Sequence, residues 1–190
     1  MPCNSVKIVV ACIMVVRLNS TKNQGVSCEA VLKTNFGKLT ILEVAELVEL
    51  NKKDPSRHWA VHVLSYTAGK DPKKLGQGVF KRILTMSVIA NSTTVIEITT
   101  ETQQIAVNHT QLVLTDVGLK EARSVTQGDK MIQSIANGEM DCARWAEVQH
   151  LSKQFSGPKM YSLSIDETAC FFANNLLVKA FNEPVEEQTK

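Results

Sequence analysis

The apolar residues between Ser27 and Lys53 set the narrowest limit on the fold. Val31, Leu32, Phe36, Leu39, Leu42, Val44, Ala45, Leu47, Val48 and Leu50 recur at intervals of three and four, with Gly37 interrupting them. This spacing predicts two helices or one broken one. Thr40 lies three residues before Glu43, the spacing of a capping box in which a hydroxyl and a carboxylate each satisfy an orphan backbone amide. The face made by Leu39, Leu42, Val44, Leu47 and Val48 is broader than a lone surface helix buries. It predicts helix-to-helix association between subunits, a homodimer formed through residues 27–53.

Charge is distributed unevenly. The 190 residues carry 21 Lys and Arg against 19 Asp and Glu, a formal +2. The first acid is Glu29, and only Lys7, Arg17 and Lys22 are charged before it. An acid-free, hydroxyl-bearing start is the bias of an organellar targeting segment, which places residues 1–26 as a leader and the protein in the mitochondrion. A buried first strand is the alternative, because the apolar stretch is rich in β-branched residues. That stretch, Ile8 to Val16, is too short to span a bilayer, so no membrane association is expected. Residues 51–92 hold eight cations against two acids, a net +6, and are punctuated by Pro55, Gly69, Pro72, Gly76 and Gly78. They predict a basic linker over 54–92 with a short ordered piece at Trp59–Tyr66, able to meet RNA phosphates or simply to stay solvated.

The remaining hundred residues predict a mixed domain. Thr93–Thr99 alternates with the strand period, and a second strand is expected at Lys159–Ile165 after Gly157-Pro158. Helices are expected at Ile105–Val113, Leu119–Val125 and Met140–Phe155, and a further one over the tail from Phe171 to Phe181. The resulting class is α+β, with an N-terminal helical dimerisation segment, a basic linker, and three helices on a small three-stranded sheet over 93–166. A helical extension, 167–190, completes it.

Little in the sequence speaks for catalysis. Five cysteines without a C-x-x-C pair give neither a disulfide framework nor a zinc knuckle. The Gly69–Gly78 segment lacks the order of a phosphate-binding loop. His58 and His62 would share a helical face but lack a third metal ligand at suitable spacing. Cys142 and His150, eight residues apart on one predicted helix, would point in different directions. No catalytic residue, metal or cofactor is therefore assigned, and the chain is expected not to be an enzyme.

Two segments carry a family resemblance. Ile105-Ala106-Val107 followed by Thr115-Asp116-Val117-Gly118-Leu119-Lys120-Glu121-Ala122-Arg123 resembles the C-terminal domain of the bacterial-type ribosomal stalk family, the factor-recruiting protein of the large subunit. Leu39–Leu50 resembles that family's N-terminal dimerisation and docking helix, and it precedes the first motif in the correct order. The resemblance implies a divergent mitochondrial stalk protein that docks on the stalk-base protein. It would recruit translational GTPases (elongation factors) and stimulate their GTP hydrolysis. The surface so implied comprises Ile105, Ala106, Val107, Lys120 and Arg123, and the docking helix Leu39, Leu42, Val44, Leu47 and Val48. Burial of Ile105, Ala106 and Val107 in a core remains open, as does an RNA-binding accessory role through the basic 51–92 segment with possible rRNA contact.

Overall fold

The computed structural model describes residues 24–54, 60–66, 78–89, 94–137, 140–155, 157–166 and 170–181. The residues foreseen as a leader lie almost entirely outside these, as does His58. The described residues form strands β1 (Val26–Ser27), β2 (Val31–Thr34) and β3 (Gly37–Thr40), helix α1 (Ile41–Lys53), and strands β4 (His62–Tyr66), β5 (Gly78–Ile89), β6 (Val95–Thr100) and β7 (Gln104–Asn108). Then come β8 (Leu112–Thr115), β9 (Gly118–Glu121), a 3₁₀ turn at Ala122–Ser124, β10 (Lys130–Asn137), β11 (Met140–Gln154), β12 (Met160–Ile165), β13 (Cys170–Ala173) and β14 (Leu176–Lys179).

All the strand pairs are antiparallel, in the order β3-β2-β13-β4-β5-β12-β1-β7-β6-β11-β10-β14-β8-β9. Two similar halves meet at the β13–β14 hairpin. On one side, β13 pairs with β2 of the β2–β3 hairpin and with β4; on the other, β14 pairs with β8 of the β8–β9 hairpin and with β10. Each half then extends into a long strand, β5 or β11, that crosses to the strands around β12 and β6. One apolar core runs through both halves and includes Leu32, Val63, Ile98, Val113, Phe171 and Leu176.

The expected α+β domain of three helices on a three-stranded sheet is not what forms. Ile105–Val113 is strand β7, a polar turn, and the start of β8. Ile105 and Val107 are fully buried with half-buried Ala106 between them, the two-residue period of a strand. Met140–Phe155 is β11, where buried Ala146 and Val148 alternate with exposed Glu147 and Gln149. The tail read as a helix is the β13–β14 hairpin. Its turn is Asn174-Asn175, with φ of 46° and 61°, the two consecutive left-handed residues that a tight two-residue hairpin requires. At Leu119–Val125 the structure has β9 and the 3₁₀ turn. In each case the apolar spacing fitted a helix by coincidence, while pairing with strands from elsewhere in the chain fixed the extended backbone.

Helix α1 does form. Thr40 Oγ1 accepts from the Glu43 amide at 3.2 Å, and the Glu43 carboxylate accepts from the Thr40 amide at 2.7 Å, closing the capping box. The bond from the Thr40 backbone holds the Glu43 carboxyl below its ordinary range. Its apolar face is covered by this chain rather than by a second copy, because Ile41, Val44, Ala45 and Val48 are buried in the common core.

Candidate functional site

The described chain enters and leaves the body at one place. Val26 of β1 is in register with Tyr161 of β12 and with Val107 of β7, so Gly25 falls opposite Ser162 and Asn108. The Asn108 amide donates to the Gly25 carbonyl at 2.8 Å, and the Cys28 amide to the Lys159 carbonyl at 2.8 Å. Gln24, two residues ahead of Val26, is buried. At the other end of the described body, Phe181, which follows buried Ala180, donates its amide to the Leu163 carbonyl at 2.7 Å. The same edge of β12 therefore holds the entering segment at Lys159 and Tyr161 and the leaving segment at Leu163. Two residues of a strand separate the last two positions, roughly 7 Å.

Polar side chains gather beside this junction. Asn108 Oδ1 accepts from both the amide and the hydroxyl of Thr110, at 3.0 and 2.8 Å, which fixes the turn that carries His109. Gln111, fully buried, donates from Nε2 to the carbonyls of Leu112 and Lys179, and so ties that turn to the end of β14. His109 is held through its backbone, donating to Thr94 and accepting from Arg123. Its Nδ1 is buried without a hydrogen-bond partner. An unmet buried polar atom carries a desolvation cost of about 1–3 kcal/mol.

Covalent catalysis needs a hydroxyl, thiol or amine side chain at the reacting bond. Gly25 supplies none, and a Cβ built there would lie 2.1 Å from the Ile89 Cδ1. Ala180 and Phe181 supply none either. Ser27 is buried and its Oγ accepts from the Glu29 amide at 3.2 Å, while Cys28 packs against the core. The hydroxyl that the register sets opposite Gly25 is that of half-buried Ser162. Among the described residues no three His, Cys, Asp or Glu side chains cluster as a metal site would require. Cys142 and His150 both sit on β11, eight residues or roughly 26 Å apart, too far to act as a pair.

The residues singled out from the sequence are scattered. Ile105 and Val107 are core. Ala106 is half-buried on β7. The Lys120 ammonium bonds both carboxylate oxygens of Asp129, at 2.7 and 2.9 Å. Burial pushes the Asp129 carboxyl up, but bonds from Lys120 and from Thr126 outweigh it and hold the group below its usual range. Arg123 pairs with Glu121. Of the five helix residues, Val44 and Val48 are buried, Leu39 and Leu47 pack partly against the core, and Leu42 is exposed. None of these meets at the junction except through the β7 backbone. His109, Gln111, Ser162 and Gly25 were not foreseen; the run Asn108-His109-Thr110-Gln111, polar directly after an alternating strand, was the available sign of a functional turn.

No protein-family model matches the chain, and no curated protein does. Solved structures do. The DnaX mini-intein from Spirulina platensis superposes with a TM-score of 0.60 at 20% identity, covering 82% of this chain and 98% of its own. A DnaB intein from Synechocystis sp. PCC 6803 gives 0.64 at 10% identity, covering 83% and 98%. A bacterial intein-like domain from Clostridium thermocellum gives 0.61 at 16% identity, covering 82% and 98%. The fold is thus the intein fold. Inteins are protein-splicing domains, so the likeness overturns the ribosomal-stalk reading and its stalk-base and translational-GTPase partners, and the homodimer expected from the apolar face of residues 27–53 loses its basis because that face is buried within the chain. The stalk motif in Thr115–Arg123 is a strand hairpin and a single 3₁₀ turn, with no exposed helix to present to a GTPase.

Proposed function

We propose that this chain is a self-processing domain that cuts its own backbone at the Gln24–Gly25 bond and does not join the flanking segments. The observation that carries this reading is the meeting of the entering and leaving segments on one edge of β12, at Tyr161 and Leu163, beside His109 with its unpartnered Nδ1. Inteins catalyse their own splicing, which weighs against a purely structural role for a chain of this fold.

The step follows from the residues present. The Ser162 Oγ adds to the Gln24 carbonyl, the Gln24–Gly25 C–N bond breaks, and His109 carries the hydroxyl proton to the departing Gly25 amine. Residues 1–24 then remain as an ester on Ser162, and water hydrolyses that ester to free the Ser162 hydroxyl. Neither Ala180 nor Phe181 has a side chain to take over the acyl group, so cleavage is the end of the sequence. Incubation of the full chain with and without neutral hydroxylamine, which attacks esters, tests this. Expected are cleavage accelerated by hydroxylamine, its loss in Ser162→Ala, and a fall of roughly 100-fold or more in His109→Ala. Equal rates in all three proteins would overturn it.

One observation favours a second reading. Gly25 lacks a side chain and has no room for one against Ile89, which suits a fold kept without chemistry at the junction. A full chain that stays intact under the same incubation supports that reading.

A further inference from the structure

Gln111 is among the largest side chains that are fully buried, an uncommon place for a primary amide unless hydrogen bonds hold it there. Its Nε2 donates to the Leu112 carbonyl at 2.9 Å and to the Lys179 carbonyl at 2.8 Å. Both partners can only accept, which fixes the nitrogen end of the amide. Its backbone closes the turn that carries His109: the Gln111 amide donates to the Asn108 carbonyl at 2.9 Å, and the Ala122 amide donates to the Gln111 carbonyl at 2.8 Å. Lys179 ends β14, and two residues later the Phe181 amide donates to the Leu163 carbonyl of β12. One side chain thus bridges the turn around His109 and the strand from which the chain departs, between residues 68 apart in sequence.

We propose that Gln111 is a positioning residue that couples the seating of the departing chain on β12 to the placement of the His109 imidazole. While Phe181 is seated on Leu163, the Lys179 carbonyl stays within reach of Nε2 and the turn over 108–111 is held. When that seat is lost, Lys179 shifts with the residues that follow it, and the amide keeps both carbonyls only by moving the turn. A buried carbonyl left without its donor costs about 1–3 kcal/mol, so the turn follows the strand. A displacement of the departing segment therefore reaches His109 through hydrogen-bonded contacts on the page rather than through mere proximity. An effect of this coupling on cleavage rests on the reading of His109 as the proton carrier; the effect on the position of His109 does not.

Amide hydrogen exchange and NMR spectra of the full chain test the coupling. Phe181→Pro removes the amide that seats the departing chain. It is expected to speed exchange of the His109 amide, which donates to Thr94, by roughly 3- to 10-fold, the worth of one hydrogen bond. It is also expected to shift the His109 imidazole and Gln111 side-chain amide resonances together, while those of His62 on β4 and His150 on β11 stay in place. Gln111→Met keeps much of the volume and removes the donor, so it should shift His109 by itself and abolish the response to Phe181→Pro. Should Gln111→Met fail to fold, the joint movement of the Gln111 amide and the His109 imidazole in Phe181→Pro decides. A His109 that ignores Phe181→Pro, a response in which the Gln111 amide does not move, or a response of equal size in Gln111→Met overturns the proposal. Cleavage at Gln24–Gly25 is expected to slow in Phe181→Pro. A parent that does not cleave overturns the self-processing reading, and the exchange rates still decide the coupling.

Discussion

The β2–β3 and β8–β9 hairpins are built alike and lead to different things. In each, a Thr opens a two-residue loop and a Gly closes it, Thr34 to Gly37 and Thr115 to Gly118. In each, the Thr hydroxyl donates to the Gly carbonyl, at 2.8 and 2.7 Å, and the Gly has positive φ, 101° and 116°. After the first comes α1 of 13 residues; after the second comes a 3₁₀ turn of three. The difference lies at the cap. Thr40 and Glu43 close a capping box, whereas Glu121, at the equivalent place, makes no side-chain capping bond. The second half is instead pinned by Asp129, which collects Lys120 and the Thr126 amide. Equal hairpins thus specify the turn and leave the next element to its own first residues.

The largest expected effect strikes both halves at once. Phe171, fully buried on the hairpin between them, should cost about 3–5 kcal/mol on replacement by Ala, with one cooperative denaturant transition retained. Two separate transitions would show that the halves are independent bodies. Next is Asp129→Ala, expected to cost about 2 kcal/mol because it strands Lys120 and an amide. Gly37→Ala and Gly118→Ala should each cost about 1–2 kcal/mol. A Cβ meets nothing within 4 Å at either position, so the two penalties are purely conformational and should match. A large inequality would break the equivalence of the hairpins. Thr40→Ala should cost about 1 kcal/mol and act on the first half alone, read as lost amide protection in α1.

Acidity separates the halves more finely. The Asp129 carboxyl is held below its ordinary value, so its contribution is present at neutral pH. It is lost as pH falls through the folded-state value, below about 4. The exposed Glu43 carboxyl shifts in the same direction. Denaturant midpoints at pH 6 and pH 3 should therefore differ less in Asp129→Asn than in the parent, since the pinning carboxylate is gone from both measurements.

Part of this was legible in the sequence. The Thr40–Glu43 spacing gave α1 its start, and the alternation at Thr93–Thr99 and Lys159–Ile165 matches β6 and β12. The rest failed for identifiable reasons. Ala122 and the residues around it carry helical spacing, but only a cap and more than one turn would sustain a helix there. Asn174-Asn175 lay between two apolar runs as a turn pair, and counting the runs together concealed it. The junction was hidden for a different reason. Gly25, His109, Ser162 and Phe181 are spread over most of the chain, and only strand register brings them to one edge.

The most direct test of self-processing at that edge is mass analysis of the full chain after prolonged incubation at neutral pH, with the new amino terminus sequenced. A fragment beginning at Gly25, formed by the parent and absent from Ser162→Ala, is the predicted result. A parent chain that retains its full mass, or a cut at a bond elsewhere, contradicts it.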